Sequence, residues 1–189
     1  LNLSYDFSPK FRFTSQSSYL ANNARRDYNR TNELQNNQGN YSYSYSDNGI
    51  NLLTSNFLSY NNAFKKHSLS VVAGQDIQYN QFQNIQASGS NGASDYIQTV
   101  NGFQQSRIGA YSDYQAYGLL SYYARVAYDF DSRYLFSFSA RADGSSRFGA
   151  NNRYGFFPAA SVGWIITEES FLADNGIVDF LKLRASYGV

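Results

Sequence analysis

The stretch ARADGSSRFGANNRYGFFPAASVGW, residues 140–164, decides how the rest of the chain is interpreted. It begins as alternating residues, passes through a polar loop that contains glycine, and resumes as an aromatic segment ending at Trp164, the only tryptophan. A period of two places successive side chains on opposite faces of a β-strand. The stretch therefore predicts a β-hairpin with one apolar and one polar face, which is typical of a transmembrane β-barrel.

The same alternation recurs along the chain and predicts about eight strands. Between them, long polar segments at 22–40, 83–113 and 144–153 alternate with short turns. Outer-membrane barrels show this asymmetry, because their periplasmic turns are short and their extracellular loops are long. The predicted strands cover 1–8, 11–20, 41–46 with 50–60, 67–82, 117–128, 134–142, 154–166 and 181–187.

The composition favours the same class of protein. Lys and Arg total 15 against 14 Asp and Glu, so the chain has no basic excess that would indicate nucleic-acid binding. Charged residues make up only 15% of the chain and aromatic residues 18%, which suits a barrel with aromatic girdles. The mean hydropathy is −0.51 and no apolar run reaches the roughly 18 residues of a transmembrane helix. We therefore predict an all-β, antiparallel transmembrane barrel.

The turn after Asp129 lets the pairing of two strands be predicted. If Asp129 lies opposite Arg133, apolar residues meet apolar ones and polar residues meet polar ones across the pair. Pro158 interrupts the next strand, because proline cannot donate a ladder hydrogen bond, and we expect a bulge or a local edge there. The pairs expected from this closure are Val126–Phe136, Ala124–Phe138 and Arg125–Ser137.

Catalytic chemistry finds no support in the residue pattern. The absence of cysteine excludes thiolate zinc sites and cysteine nucleophiles. His67 is the only histidine, so neither a histidine-based metal site nor a Ser-His-Asp triad is predicted. The glycines at 144, 149 and 155 do not open a helix and are not a phosphate-binding loop. We predict neither an enzyme nor a cofactor or metal site.

Residues 131–171, DSRYLFSFSARADGSSRFGANNRYGFFPAASVGWIITEESF, closely resemble a strand-loop-strand found late in SusC/RagA-like TonB-dependent outer-membrane transporters. KLRASYGV at 182–189 resembles the strand that follows there, and KKHSLSVVAGQD at 65–76 resembles an earlier hairpin. The resemblance covers the C-terminal half well and the rest loosely. It is specific for the family but not for a substrate.

The resemblance implies a barrel of roughly 22 strands that is plugged by an N-terminal domain. It also implies the outer membrane of a diderm bacterium, a SusD-like lipoprotein as partner, and a TonB complex that supplies energy. Residues 1–189 are then expected to be part of the barrel domain, about eight of its strands, without a plug domain. The implied function is import of a bulky nutrient, a glycan or a peptide.

Candidate contact residues fall into two groups. Arg141, Asp143 and Arg147 surround the loop after residue 144, where they either contact substrate or, as we favour, hold strands and loop together as an interior charge network. The tyrosines at or near the first long loop are candidates for contact with a ligand or the lipoprotein lid, whereas Trp164 fits an interfacial girdle better. The candidate tyrosines are Tyr41, Tyr43 and Tyr45.

Two alternatives remain open from the sequence. One is a complete small barrel of eight strands with a structural or adhesive role, since small outer-membrane barrels have about that number. The other is a soluble β-sandwich that binds carbohydrate. A full gene product of about 21.3 kDa would favour the small barrel, and a chain that is folded and monodisperse in plain buffer would favour the sandwich.

Overall fold

The eight predicted strands form one antiparallel sheet in which the strands follow chain order. The computed structural model describes residues 1–35, 39–149, 153–172 and 178–189. The predicted all-β class is confirmed. The strands are β1 Asn2–Ser8, β2 Phe11–Arg30, β3 Tyr41–Phe64, β4 His67–Ser90, β5 Ile108–Phe130, β6 Tyr134–Ser145, β7 Tyr154–Ile165 and β8 Lys182–Gly188.

The early strands are longer than the alternation predicts. β2 continues to Arg30, so the prediction of a loop over 22–40 is wrong for residues 22–30. β3 is one strand over Tyr41–Phe64, where the alternation predicts two separate segments. The reason is that residues 22–30 are polar at nearly every position, so backbone hydrogen bonds to neighbouring strands hold this segment without an apolar face. Such a strand has no alternation to detect.

The second long loop is shorter than predicted for the same reason. β4 runs to Ser90 and β5 begins at Ile108. Residues 91–107 are therefore the loop, within the predicted 83–113. The loop contains two short 3-10 segments, Val100–Gly102 and Gln105–Arg107. No helix among the described residues is long and apolar enough to span a membrane.

The other two predicted loops are described only in part. Residues 36–38 of the predicted loop 22–40, and residues 150–152 of the predicted loop 144–153, lie outside the described residues. On the described side of the second loop, β6 extends to Ser145 and β7 begins at Tyr154. The hairpin predicted from residues 140–164 is therefore confirmed as two paired strands.

Strands β5 and β6 pair without a break, but two residues away from the predicted register. Val126 lies opposite Phe138, and Arg125 lies opposite Ser139. The expected pairing of Val126 with Phe136, and the two other expected pairs, are therefore wrong by two residues. Because the side-chain period of a strand is two, this shift leaves every residue on its predicted face.

The turn between these strands explains the shift. Phe130 lies opposite Tyr134, so the loop consists of Asp131, Ser132 and Arg133. Asp131 and Ser132 have φ of 57° and 55°, and the backbone N of Arg133 donates to the carbonyl of Phe130 at 3.1 Å. The three-residue loop lies one residue further along the chain than predicted, which moves every pair by two.

Pro158 does not form a bulge. The pairing of β6 with β7 runs through Ala140–Pro158 without a shift, so that expectation is wrong. The carbonyl of Pro158 accepts from the backbone N of Val189 at 3.1 Å. In an antiparallel strand, the N and O of one residue point to the same side. The proline nitrogen is therefore directed away from β6, and this ladder loses no donor.

The two faces of strands β5–β8 differ sharply in chemistry. One face carries large apolar side chains that are exposed. A contiguous apolar surface of this kind marks contact with a membrane or another protein. The opposite face carries serines, glycines and charged residues. The exposed apolar residues are Tyr122, Val126, Tyr134, Phe136, Phe138, Tyr154, Phe156, Val162, Trp164, Leu183 and Tyr187.

Aromatic residues stand at both ends of the apolar face. Trp164 lies opposite Tyr134 at one end of β7, and Tyr154 lies opposite Gly144 at the other. Ten residues of strand cover roughly 33 Å. With a barrel tilt of about 40°, that length corresponds to a height of about 25 Å, which is the usual height of the apolar band between aromatic girdles in outer-membrane barrels.

The contacts divide the chain into two compact units. Unit one comprises Leu1–Ser18, Leu53–Gln78 and Gly118–Val189. Unit two comprises Tyr19–Leu52 and Tyr79–Tyr117. Unit one contains all of β1, β6, β7 and β8. Unit two contains the loop at 91–107.

The loop of unit two has a small core of its own. Phe103 is 6% exposed and is the only buried apolar residue in the described part of the chain. Its ring lies against Gly89 and Gly92, where an added Cβ would come within 2.6 and 2.9 Å of ring atoms. Two residues without side chains thus create the space that Phe103 fills.

Polar contacts fix the start of this loop. Asn40 is 5% exposed, its Nδ2 donates to the carbonyl of Ser94 at 2.9 Å, and its Oδ1 accepts from the backbone N of Gly92. Gly39 has φ of +97°, and a Cβ there would lie 1.6 Å from Oδ1 of Asn91. The start of β3 and the end of β4 are therefore held together by residues that other side chains could not replace without strain.

Candidate functional site

The best-connected group on the polar face of unit one centres on Arg141 in β6. Its Nε donates to Oδ1 of Asp143 at 2.6 Å, and its Nη1 lies 3.4 Å from Oδ2 of Asp76 in β4. Asp76 also accepts from the hydroxyl of Ser55 at 2.7 Å. The guanidinium carbon lies 5.8 Å from the ring centre of Tyr123. Hydrogen-bonded charge pairs of this kind tie several strands together.

The sequence prediction brought Arg141 and Asp143 together correctly as neighbours on one face, but it missed Asp76 and Tyr123. Both missed residues stand at polar-face positions of their strands. Tyr123 lies directly opposite Arg141 in the β5–β6 pairing. The alternation therefore placed Asp76 and Tyr123 on the polar face. Their contact with Arg141 could be predicted only once the strand pairing was known.

Gly74 makes room for Tyr123 in this group. A Cβ at Gly74 would lie 2.6 Å from Cβ of Phe57, 2.7 Å from the carbonyl of Asn56 and 2.8 Å from the hydroxyl of Tyr123. The first two atoms belong to or adjoin the backbone, so they cannot move aside without distorting the strand. The glycine is a steric requirement of the site.

Gly74→Ala is therefore expected to destabilise the folded protein. The added methyl group overpacks the contact between β3 and β4, which costs about 1–3 kcal/mol. The measurement is the midpoint of urea unfolding in detergent micelles. Gly149→Ala is the control, because nothing lies within 4 Å of a Cβ at that position. Equal midpoints for the two variants would contradict the steric argument.

Arg147 lies apart from this network along the chain, in the exposed turn after β6. Its backbone N donates to Oγ of Ser145 at 3.3 Å. Ser145 in turn receives support from the far side of the loop, since its own backbone N donates to the carbonyl of Arg153 at 3.0 Å. The turn thus holds Arg147 at the end of the hairpin.

The three candidate tyrosines stand in a row at the start of β3 in unit two. All three are half-buried. The rings of Tyr43 and Tyr45 are nearly parallel, with an angle of 8° and centres 6.4 Å apart. The hydroxyl of Tyr43 donates to Oε1 of Gln86 at 3.0 Å, which fixes its ring. The intervening Ser44 points to the other face, where its hydroxyl donates a hydrogen bond to Oδ1 of Asp27 at 2.7 Å.

A second charged group, at the turn end of unit one, was not predicted. Glu169 follows the 3-10 segment Ile166–Glu168, and its Oε1 accepts from the hydroxyl of Tyr134 at 2.6 Å and from Nε1 of Trp164 at 3.1 Å. Its other oxygen lies 3.4 Å from Nη1 of Arg133. The carboxylate thereby anchors the connection after β7 to the aromatic pair at the end of the apolar face.

Neighbouring turns join at the same place. Lys66 Nζ lies 2.7 Å from Oδ2 of Asp131, and the backbone N of Asp131 donates to the carbonyl of Lys66. Arg133 lies 3.6 Å from the same carboxylate. The hydrogen bond from Lys66 lowers the pKa of Asp131, and the hydrogen bond from Tyr134 lowers the pKa of Glu169.

The lowered pKa of Glu169 predicts a pH dependence. A carboxyl group with a depressed pKa in the folded state stabilises the fold above its unfolded pKa, near 4.5, and this contribution is lost as pH falls through the folded value. The indole N–H resonance of Trp164, followed by NMR in the isotope-labelled full-length protein, should therefore shift as pH falls below about 4.5. Glu169→Gln should abolish that change, whereas Glu168→Gln, at an exposed neighbouring position, should not. The same titration curve in all three proteins would contradict the contact.

His67 has a structural environment. Its Nδ1 lies 2.6 Å from the hydroxyl of Tyr128, and its ring stacks on Phe64 at 4.8 Å between centres. In the described ranges, no group of three or more His, Cys, Asp or Glu side chains is arranged to hold a metal ion. His67 thus packs among aromatic side chains near the turn between β3 and β4.

Comparison with known proteins agrees with this architecture. The family model described as TonB dependent receptor-like, beta-barrel matches residues 1–189. TonB-dependent receptor P39 of Formosa agariphila is 42% identical over 138 residues, which are 71% of this chain and 13% of that protein. TonB-dependent receptor SusC of Bacteroides thetaiotaomicron is 49% identical over 71 residues, 38% of this chain and 7% of SusC.

Among solved structures, the RagAB peptide transporter superposes with a TM-score of 0.90. The identity is 23%, and the match covers 98% of this chain and 21% of that one. The chain thus spans only a small part of the length of the relatives it matches. It belongs to the TonB-dependent receptor-like β-barrel family and forms about eight strands of a larger, SusC/RagA-like barrel.

Proposed function

We propose that the protein containing this chain is an outer-membrane transporter that imports a bulky nutrient, a glycan or a peptide. The observation that carries the proposal is the two-faced sheet of β5–β8. Its apolar face is exposed between aromatic rows, and its other face carries Arg141, Asp143 and serines. Lipid on one side and water on the other is the environment that suits such a sheet.

In this proposal the chain forms part of the barrel wall. β1 pairs only with β2, and β8 pairs only with β7, within the described residues. A complete eight-stranded barrel would instead pair β1 with β8. A soluble sandwich would need two sheets, whereas the described strands form one. The wall of a larger barrel fits both observations, and residues 1–189 then form part of a barrel domain without the plug.

The mechanism proposed is gated passage, without a covalent step, in which a TonB complex acts through a part of the protein outside this chain. A SusD-like lipoprotein is the proposed partner at the extracellular mouth. The relatives support this mechanism, since the RagAB peptide importer is known in closed-closed and open-open states. The identity with those structures is 23%, which supports a shared fold but not a shared cargo. The uptake experiment described below distinguishes a glycan from a peptide.

The candidate residues take different roles in this proposal. Tyr41, Tyr43 and Tyr45 contact cargo or the lipoprotein, because Gln86 holds the Tyr43 ring in place and the rings of Tyr43 and Tyr45 lie parallel. Aromatic faces fixed in this way bind flat apolar surfaces at little entropic cost. The Arg141–Asp143 pair keeps strands together, since both charges already have partners. Arg147, exposed in its turn, is a contact at the barrel mouth.

The test compares a strain that lacks the gene with the same strain carrying the full-length protein. Uptake of labelled oligosaccharides and of labelled peptides is measured, with and without an active TonB complex. We expect either the oligosaccharides or the peptides to enter only when the full-length protein and an active TonB complex are both present. If the full-length protein assembles in the outer membrane but changes the uptake of neither oligosaccharides nor peptides, the import function is contradicted. The assignment of the chain to a barrel wall is not affected by that result. A species that is folded and monodisperse without detergent would contradict the barrel as well.

A further inference from the structure

A cavity of about 320 Å³ opens on the polar face of unit one, towards the turn end of the strands. Its floor is made of small side chains. Ala127 lies opposite Ser137, which lies opposite Ser161, so three strands contribute one row. Gly163 lines the floor beside this row. The hydroxyls of Ser137 and Ser161 lie 2.7 Å apart, and at least one of them can still donate a hydrogen bond into the cavity.

Cations flank this floor on both sides. Arg125 from β5 lines one side, and Lys182 and Arg184 from β8 line the other. Among the described residues, Asp129 is the only acidic residue in the lining, and its Oδ1 already accepts from the backbone N of Ser132 at 2.8 Å. Three cations and one carboxylate leave the cavity with a net charge of +2.

Two arginines elsewhere on unit one already have carboxylate partners. Arg12 is paired with Asp6 at 2.6 Å, and Arg141 is paired with Asp143 at the same distance. In the part of the chain that the structure describes, no carboxylate forms an ion pair with Arg125, Lys182 or Arg184. Within the described residues, the three cations of the cavity therefore outnumber its single carboxylate, Asp129.

Lys182 passes close to Gly163. A Cβ at Gly163 would lie 3.3 Å from Cε of Lys182 and 3.4 Å from Cβ of Leu135. The lysine stem therefore passes over the bare backbone of the glycine, which brings its ammonium group to the cavity. The arrangement combines two guanidinium groups, an ammonium group and serine hydroxyls around a single floor.

We propose that this cationic cavity, lined by Arg125, Lys182, Arg184, Ser137 and Ser161, binds a carboxylate group. Guanidinium groups match a carboxylate in a two-pronged geometry, and the hydroxyls can donate to its remaining lone pairs. The carboxylate comes either from an acidic side chain elsewhere in the longer protein or from a free acidic ligand. The chemistry of the cavity is the same for both sources.

The test uses the full-length protein in detergent and the double variant Arg125→Gln/Arg184→Gln. Lys10→Gln/Lys65→Gln is the charge-matched control, because both lysines are exposed in turns outside the cavity. The probes are the blocked peptides acetyl-Asp-Asp-Asp-amide and acetyl-Asn-Asn-Asn-amide, which differ only in whether their side chains end in carboxylates or carboxamides. Binding is measured by calorimetry and Tm by thermal unfolding.

For a free ligand, the wild type binds the aspartate peptide but not the asparagine peptide, and the double variant binds it at least about tenfold more weakly. For an internal carboxylate, neither peptide binds, but the double variant has a lower Tm than Lys10→Gln/Lys65→Gln. Arg125→Lys/Arg184→Lys restores only part of that Tm, because it returns the charge but not the two-pronged geometry. If the double variant matches the control in both binding and Tm, the proposal is overturned. Should the double variant fail to assemble, Arg184→Gln alone is measured against Lys10→Gln by the same criteria.

Discussion

Phe103→Ala is expected to open the loop at 91–107 while the sheet stays folded. Phe103 is 6% exposed, and its ring fills the space above Gly89 and Gly92. Removing a buried phenylalanine ring costs about 3–5 kcal/mol, because transfer energy and packing are both lost. No other buried apolar side chain in the described residues can make up for the loss. The lost stabilisation free energy is therefore confined to the loop, which opens locally more often.

Amide hydrogen exchange measures this opening directly. The backbone N groups of Asn91 and Gly92 donate to Asn40 and are protected only while the loop is closed. Their exchange should accelerate by about a hundredfold or more, as the lost energy implies. Tyr96→Ala is the control, because Tyr96 is 96% exposed in the same loop. If the two variants protect these amides equally, Phe103 is not the core of the loop.

Phe138→Arg is expected to impair membrane assembly strongly, because it places a cation in the middle of the apolar face. Phe138 lies near the middle of β6, opposite Val126 on one side and Ala160 on the other, and is 53% exposed. If that face contacts lipid, a cation near the bilayer midplane costs about 2–4 kcal/mol. The measurement is the free energy of refolding of the full-length protein into lipid vesicles.

The matched control is the neighbouring position. Ser139→Arg places the same side chain on the opposite face, across from Arg125. In a wet lumen, like charges on paired strands cost less than about 1 kcal/mol. A large loss for Phe138→Arg with a small loss for Ser139→Arg identifies the lipid side of the sheet. Equal losses would show that position on the strand, and not the face, determines the cost.

The sequence was sufficient to predict which residues share a face. Tyr134, Phe136 and Phe138 are in phase, and a period of two admits only one assignment of faces. The structure has the same faces, even though the β5–β6 register differs by two residues. The register depended on where the turn residues adopt positive φ, at Asp131 and Ser132, and propensity alone places such residues only to within a residue or so.

The contacts between distant segments were beyond sequence reasoning. Asp76 and Arg141 are 65 positions apart, and nothing local to either residue indicates the other. The core of the long loop was missed for a similar reason. Phe103 appears in the sequence as an isolated aromatic residue in a polar stretch, and its burial depends on Gly89 of the preceding strand and on Gly92 of the loop itself. Such pairings follow from the order of the strands and not from the composition of any one of them.

The uninterrupted pairing of β5 with β6 over twelve residue pairs sets a rule for how this hairpin can change in evolution. A shift of this pairing by two residues changes the partners but keeps every side chain on its own side of the wall. A shift by one residue would exchange the apolar and polar sets unless a bulge absorbed it. Turns of homologous hairpins are accordingly free to vary in length, whereas their strand registers should differ by even numbers or carry a bulge.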